Sequence, residues 1–314
     1  MLGKLNFYVT RVSVFLIPVA LVVGMAGCTG DDGSYAGPPG HPPFQNSPPQ
    51  NLEIRTWYDL DAVRDNLAGN HTLMNDLDST ASGYWELAGP IANQWKGWEP
   101  IGFVEVIYFD DPFGCSGGKI ENWYGLNGTF DGQGYEIRNL FINRRPDEND
   151  VGLFGAIDEG GVIKDIGAVN VTVAGWNYVG GLAGRNRGTV SNSYSSGNVN
   201  GYHGVGGLVG WNQGTVSNSY SSGNVTGEQW GVGGLVGTDG GNVTNSFWDM
   251  ETSGQSTSDG GVGKTTAEMK NVDTFSDAGW NIITVADSDT RNTAYIWNIV
   301  DGLTYPFLSW EPVS

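Results

Sequence analysis

The side chains in this chain that could do chemistry are few and widely spaced. Its three histidines, His41, His71 and His203, stand far apart, and no His-Glu-x-x-His pair is present to hold a catalytic zinc. No Gly-x-Ser-x-Gly elbow offers an activated serine. The acids Asp110-Asp111, Asp131 and Asp158-Glu159 are the candidates for work on a sugar, which requires two carboxyls to converge around one glycosidic bond. Neither an Asp-x-Asp-x-Asp-Gly loop nor a Gly-Gly-x-Gly-x-Asp array occurs, so no metal site and no cofactor is expected, and these acids read first as surface acids on turns.

Aromatic rings give a more regular signal. Trp176 and Tyr178, then Tyr202, then Trp230 fall in the turns before three successive Gly-Gly-Leu triplets, and Trp211 lies on a neighbouring turn. Rings at matching positions could form a ladder along one edge, where exposed faces stack on sugars or pack into a protein partner. The competing reading is that each ring packs on its own corner of the fold. The remaining reactive groups are two cysteines, Cys28 and Cys115.

The element that must position these rings is a repeat. Val179-Gly-Gly-Leu-Ala-Gly, followed by Thr189-Val-Ser-Asn-Ser-Tyr194, returns as Val205-Gly-Gly-Leu-Val-Gly with Thr215 to Tyr220. A third copy is Val232-Gly-Gly-Leu-Val-Gly with Asn242 to Phe247. Leu182, Leu208 and Leu235 are separated by 26 and 27 residues, a period that signals stacked repeats. Each unit holds short β-branched and aromatic runs broken by Gly, Asn and Ser, with no apolar stripe at helical spacing. The pattern predicts an all-β fold, a right-handed parallel β-helix (β-solenoid) with one coil per repeat. Leu182, Leu208 and Leu235 should stack inside, as should Val190, Val216 and Val243. Tyr194, Tyr220 and Phe247 should form an aromatic column. Asn192, Asn218 and Asn245 should form a ladder, either of side-chain amides or of left-handed turns.

Over about residues 150 to 250 these repeats resemble the GLUG motif. That motif is known in bacterial surface proteins, including adhesin-like proteins and regions upstream of the catalytic domain in immunoglobulin A-specific metallopeptidases. The resemblance implies a surface location and a binding or scaffold role, and it brings no catalytic residues.

The rest of the chain divides around the repeats. Residues 1–28 combine Lys4 and Arg11 with an apolar run, Val12 to Val23, and end Met25-Ala-Gly-Cys28. They resemble a bacterial lipoprotein signal in which Cys28 is lipidated, with Met25 where Leu is usual; a plain secretory signal or one membrane-spanning helix is the other reading. Residues 29–51 are rich in Pro and Gly and read as a tether, able to span roughly 60 to 70 Å at about 3.1 Å per residue. Residues 52–80 read as an N-terminal cap with a helix from Ile54 to Gly69 carrying Leu60, Val63 and Leu67 on one face. Residues 81–150 read as irregular coils, with Glu105 to Trp123 looped out. Residues 151–250 hold the repeat coils, of which Leu153 to Leu182 is a longer first one. Residues 251–314 read as a C-terminal helix and hairpin cap, with a capping box at Thr265 to Glu268 and a turn at Asp301-Gly302.

Formal net charge is −19, and loss of residues 1–27 removes Lys4 and Arg11 but no acid, giving −21. Such a surface repels nucleic acid and anionic membrane. If Cys28 is acylated, Cys115 has no partner for a disulfide. The sequence therefore points to a monomeric, lipid-anchored, extracytoplasmic β-helix at the cell surface. Its expected role is an adhesin-like one, binding a cell-surface polysaccharide or protein through Trp176, Tyr178, Tyr202, Trp211 and Trp230, without catalysis. The alternative is a carbohydrate-active β-helix enzyme, a polysaccharide hydrolase or lyase, using the acids of residues 105 to 160.

Overall fold

The computed structural model describes residues 50–109 and 118–309. Cys28, Cys115, Asp110-Asp111, the signal-like segment and nearly all of the tether lie outside the described residues. Within them, the repeat unit folds into strands of two to eight residues that hydrogen-bond to the same strand one repeat away. Val179 pairs with Val205 and Val205 with Val232. Val190 pairs with Val216 and Val216 with Val243, while Tyr194 pairs with Tyr220 and Tyr220 with Phe247, every pairing parallel. One period of the sequence is therefore one coil, and the protein is a parallel β-solenoid. Val151 pairs with Val179 and Phe154 with Ala183, so the longer stretch from Leu153 to Leu182 is one extended coil, as the spacing predicts.

One face of the solenoid is a seven-stranded parallel sheet, from Leu52–Ile54 and Asn70–Leu73 through Thr129–Asp131, Val162–Lys164, Thr189–Ser191 and Thr215–Ser217 to Asn242–Thr244. Strand side chains alternate between the two faces. Val190 and Val216 consequently point inward, and they have no exposed surface. Leu153, Leu182, Leu208 and Leu235 make a fully buried leucine column in the same interior. In the repeat coils the inward leucines and valines face like residues about 4.8 Å away, so a thin core still buries most of them completely.

The interior also carries polar columns. Asn186 Nδ2 donates to Asn212 Oδ1 at 2.7 Å, and Asn212 Nδ2 donates to Asp239 Oδ1 at 2.7 Å. Ser193, Ser219 and Ser246 form a second buried ladder: the Ser193 N–H donates to Ser219 Oγ (3.1 Å) and the Ser219 N–H to Ser246 Oγ (3.2 Å). At the corner between these two columns, Asn192, Asn218 and Asn245 adopt φ of 47°, 46° and 48°, with Asp165 at 56° beneath them. Left-handed geometry is costly for most residues and tolerated by Asn and Asp, which decides the role of this ladder. It turns the chain. One amide bond adds to it, from Asn192 Nδ2 to Asp165 Oδ1 at 2.9 Å.

The N-terminal helix is shorter than the apolar spacing predicts. Leu52–Ile54 is a strand paired to His71–Leu73, the helix proper runs Trp57–Asp61, and a 3-10 turn follows over Ala62–Asp65. Thr56 fixes the start through a reciprocal capping box with Asp59, which leaves Ile54 free to join the sheet. Ile54, Trp57, Leu60 and Val63 are fully buried and close this end. Glu105 to Trp123 leaves the coil as a hairpin, Phe103–Phe109 paired antiparallel with Gly118–Tyr124.

The C-terminal cap has two parts in different places. Loop residues Thr257 and Ser258 bond the last coil at Gly234, Leu235 and Val236, and so cover its open edge. The helix Val272–Ser276 and the strands Ile282–Thr284, Trp297–Ile299 and Phe307–Leu308 instead pack against the flank. There Met269, Phe275, Trp280, Trp297 and Leu308 form a second core over Tyr194, Tyr220 and Phe247. Tyr194 and Tyr220 stack 5.0 Å apart at 6°, and Tyr220 donates its hydroxyl proton to the Pro306 carbonyl (2.7 Å). Gly167 is required below this column, because a Cβ there would come within 2.5 Å of Tyr194 Cζ.

Substituting Asn212→Ala removes the middle of the amide ladder and leaves one N–H of the buried Asn186 amide without an acceptor, while the Thr215 carbonyl at 3.2 Å keeps the other. An unpaired buried polar group costs about 1 to 3 kcal/mol. A clear drop in melting temperature by circular dichroism is expected, and an unchanged melt would show that the ladder is not stabilising.

Candidate functional site

The five candidate rings gather on one corner of the solenoid, in two sets. Trp176 lies beside Tyr202 one coil on, stacked at 4.0 Å and 5°. Next to this pair, Asn177 is in register with His203. Trp230 enters the second column, because it stands two residues before Val232 as His203 stands two before the paired Val205, whereas Tyr202 stands three before it. Its ring stacks on His203 at 4.7 Å, and His203 meets Tyr202 edge-on at 4.3 Å. The result is a continuous run of rings, Trp176, Tyr202, His203, Trp230, climbing three coils. Trp230 is 59% exposed, while Trp176, Tyr202 and His203 are half-buried. In the stacked pair the ring faces meet each other, which leaves ring edges and the open side of Trp230 to solvent.

Tyr178 and Trp211 belong to the second set, and an arginine holds them. They stack at 5.0 Å, with the Arg185 guanidinium 4.4 Å from the Tyr178 ring and 4.9 Å from the Trp211 ring. Tyr178 has a left-handed φ of 56° and stands in register with Gly204, which also has positive φ. Its ring covers that glycine: a Cβ on Gly204 would sit 2.8 Å from Tyr178 Cδ1.

Arg185 is itself buried, and its Nε donates to Asp150 Oδ1 at 2.6 Å. From the hairpin, Glu121 approaches Arg185 at 3.4 Å and Arg187 at 3.7 Å, and the Trp123 ring lies 3.8 Å from the Arg187 guanidinium. Arg185 and Arg187 are the only Lys or Arg between Lys164 and Lys264. Together they clamp the hairpin to the repeat coils. Sequence reasoning passed over both arginines, Asp150, Glu121 and Trp123; the isolation of two cations in a cation-free repeat is the signal that could have found them.

Burial pushes the Asp150 carboxyl up from 3.8 to about 6, against the opposing pull of Arg185. His71 is held low by burial in the N-terminal sheet and lies in a different element from His203. Of the acids, Asp131 and Asp165 are both ion-paired to Lys164. They line a cleft of about 330 Å³ between the flank and the C-terminal segment, together with Gln133, Tyr295 and Ser309. Asp158 and Glu159 lie at a turn away from it, Glu159 exposed. Among the described residues no cluster of three His, Cys, Asp or Glu side chains could hold a metal ion.

Stacked coils with repeated corner columns define the molecule as a β-solenoid repeat protein. Residues 177–200 and 201–226 match the GLUG motif, two adjacent coils in the structure. The chain is a GLUG-motif repeat protein. Over 150 residues, 46% of this chain, it is 35% identical to halomucin of Haloquadratum walsbyi. Over 144 residues, 44% of this chain, it is 36% identical to a protein of Evansella cellulosilytica described as a Gly-rich membrane protein. The similarity spans 1% of the first relative and 14% of the second. No solved structure matches the chain.

The Asp150–Arg185 pair makes stability depend on pH. A carboxyl whose folded pKa is raised binds its proton more tightly in the native state, so the stability it contributes is present below 3.8 and is lost as pH rises through about 6. Asp150→Asn cannot titrate. Thermal melts of both chains should show the wild type losing stability relative to the variant over that interval. Parallel profiles would mean that Asp150 ionises freely.

Proposed function

We propose that this protein is a lipid-anchored cell-surface β-solenoid with an adhesin-like role, which holds an extended polysaccharide or protein ligand along its aromatic corner and catalyses no reaction. The observation that carries this reading is the run of rings Trp176, Tyr202, His203 and Trp230 across three coils. A linear ligand lying along it touches several coils at once, and weak contacts then add through effective concentration. Trp230 supplies an open ring face for stacking, and the edges of Trp176 and Tyr202 supply a rim. Tyr178 and Trp211 support the corner from behind, since their faces are taken up by each other and by Arg185.

The names of the two relatives fit display at a cell surface, and a net charge of −19 suits solubility outside the cell. Cys28, after an apolar run and small residues, is the proposed lipid attachment point. The second reading, a polysaccharide hydrolase or lyase, rests on the cleft that brings Asp131 and Asp165 together. Lys164 argues against it by occupying both carboxylates. Polysaccharide panels should therefore show binding without new reducing or unsaturated ends. Turnover abolished by Asp131→Asn would reverse the order.

Two experiments test the main reading. Trp230→Ala should weaken ligand binding more than Trp176→Ala or Tyr202→Ala, and the triple variant should abolish it while keeping a melting transition. Retained affinity in the triple variant would remove the corner from consideration. Separately, Cys28→Ser should release the protein from membranes or leave it unprocessed; unchanged retention and processing would refute lipidation.

A further inference from the structure

Among the described residues, the end of the solenoid formed by the N-terminal cap and the segment after it carries a group of exposed apolar side chains. Ten large hydrophobic side chains are exposed among the described residues, and four of them fall within residues 58–95: Tyr58 (51%), Trp85 (56%), Ile91 (53%) and Trp95 (69%). They are neighbours. The Tyr58 ring lies over Gly83, where a Cβ would be 3.2 Å from Tyr58 Cδ2, and the Trp85 ring lies over Gly89, where a Cβ would be 3.2 Å from Trp85 Cε3. Ile91 follows two residues later. Asn93, Gln94 and Trp95 take left-handed φ of 48°, 60° and 69° in succession, and Trp95 is left outward. Three consecutive non-glycine residues in that conformation are strained, and such strain gathers at functional surfaces. Beside these residues along the chain stand the charged groups Asp59, Glu86 and Lys96; Asp59 accepts from the Thr56 N–H at 2.9 Å and Lys96 is paired with Glu148 at 2.6 Å.

We propose that this face, formed by Tyr58, Trp85, Ile91 and Trp95, docks on the interfacial zone of a zwitterionic phospholipid bilayer. Trp and Tyr rings with an aliphatic companion and little charge are the composition that settles at the headgroup boundary. The strongly negative chain disfavours an anionic surface, which makes the zwitterionic one the fit. Where the chain arrives also points to a membrane. The N-terminal 49 residues, with the apolar run Val12 to Val23, reach the described fold at Gln50, whose N–H donates to Asn66 Oδ1 (3.1 Å) beside the cap helix. An anchored chain enters the fold at this end, and a tether able to extend roughly 60 to 70 Å lets this end reach the bilayer without holding it there. A second copy fits less well. Four side chains of this size expose roughly 500 Å², against roughly 800 Å² per partner in a stable dimer.

The inference leans on the anchoring reading for delivery, so the experiment separates the two. Full-length protein is bound to phosphatidylcholine vesicles whose brominated acyl chains quench nearby tryptophan. Wild type is compared with Trp85→Ser/Trp95→Ser, with Trp95→Ser alone in case the double variant melts early, and with Cys28→Ser. The double variant should still float with vesicles through its N-terminal segment, while the quenched fraction of its emission falls about twofold or more, as expected when interfacial rings are removed. Unchanged quenching in both serine variants, or no quenching in vesicle-bound wild type, overturns the proposal. Self-association without vesicles that disappears in the double variant also overturns it, in favour of a second copy. Flotation of Cys28→Ser with quenching that still depends on Trp85 and Trp95 removes the anchor but keeps the docking face.

Discussion

In-register parallel stacking is the constraint on which the rest of this molecule depends. Each coil buries its apolar residues only because the next coil places the same kind of residue directly above them. Leu153, Leu182, Leu208 and Leu235 are each fully buried in a cross-section too thin to bury any one of them alone. The same rule admits polar groups to the interior. Asn186 and Asn212 are tolerated there because each amide finds its partner one coil away, and a run of such bonds fixes the register that the smooth valine columns leave loose.

A stack of identical coils has two open ends, and here it also has one sticky flank. The ends are closed by Ile54, Trp57, Leu60 and Val63 on one side and by the loop around Thr257 and Ser258 on the other. On the flank, Tyr194, Tyr220 and Phe247 point away from the coil interior and would leave an exposed aromatic strip. The helix and strands after residue 265 lie over that strip and turn it into a second core. The C-terminal segment is thereby tied to several coils at once, from Phe247 back to Gly134, where Ser309 sits against the glycine.

Function in such a scaffold belongs to its corners, where side chains leave the stack and conformity relaxes. One corner spends Tyr178 and Trp211 on Arg185 and, through Arg187 and Trp123, on holding the inserted hairpin. The adjoining columns keep Trp230 open to solvent. Two sets of rings that look alike along the chain thus differ in availability, and the difference comes from two arginines and from the column in which Trp230 stands.

The sequence by itself determined the solenoid, the length of its coil, the identity of the inward leucine and valine columns and the place of the asparagine column, while its turning role came from the backbone geometry. The physical reason is that a fixed period makes each residue's spatial neighbour the residue one repeat away, so the pattern can be read without knowing the path of the chain. Wherever that condition fails, only the tertiary structure decides. Trp176, Tyr202 and Trp230 look equivalent as the ring ahead of each Gly-Gly-Leu, but the pairing of Val205 with Val232 sets Trp230, which stands 27 residues beyond His203 and 28 beyond Tyr202, in the column of Asn177 and His203. Ile54 has the spacing of a helix residue, yet the neighbouring strand Asn70–Leu73 claims it for the sheet. The Asp150–Arg185 clamp, the Lys164 bridge between Asp131 and Asp165, and the side placement of the C-terminal segment all join residues from different coils or segments by outward side chains. Those contacts follow from where the chain returns in space, which no repeat period encodes.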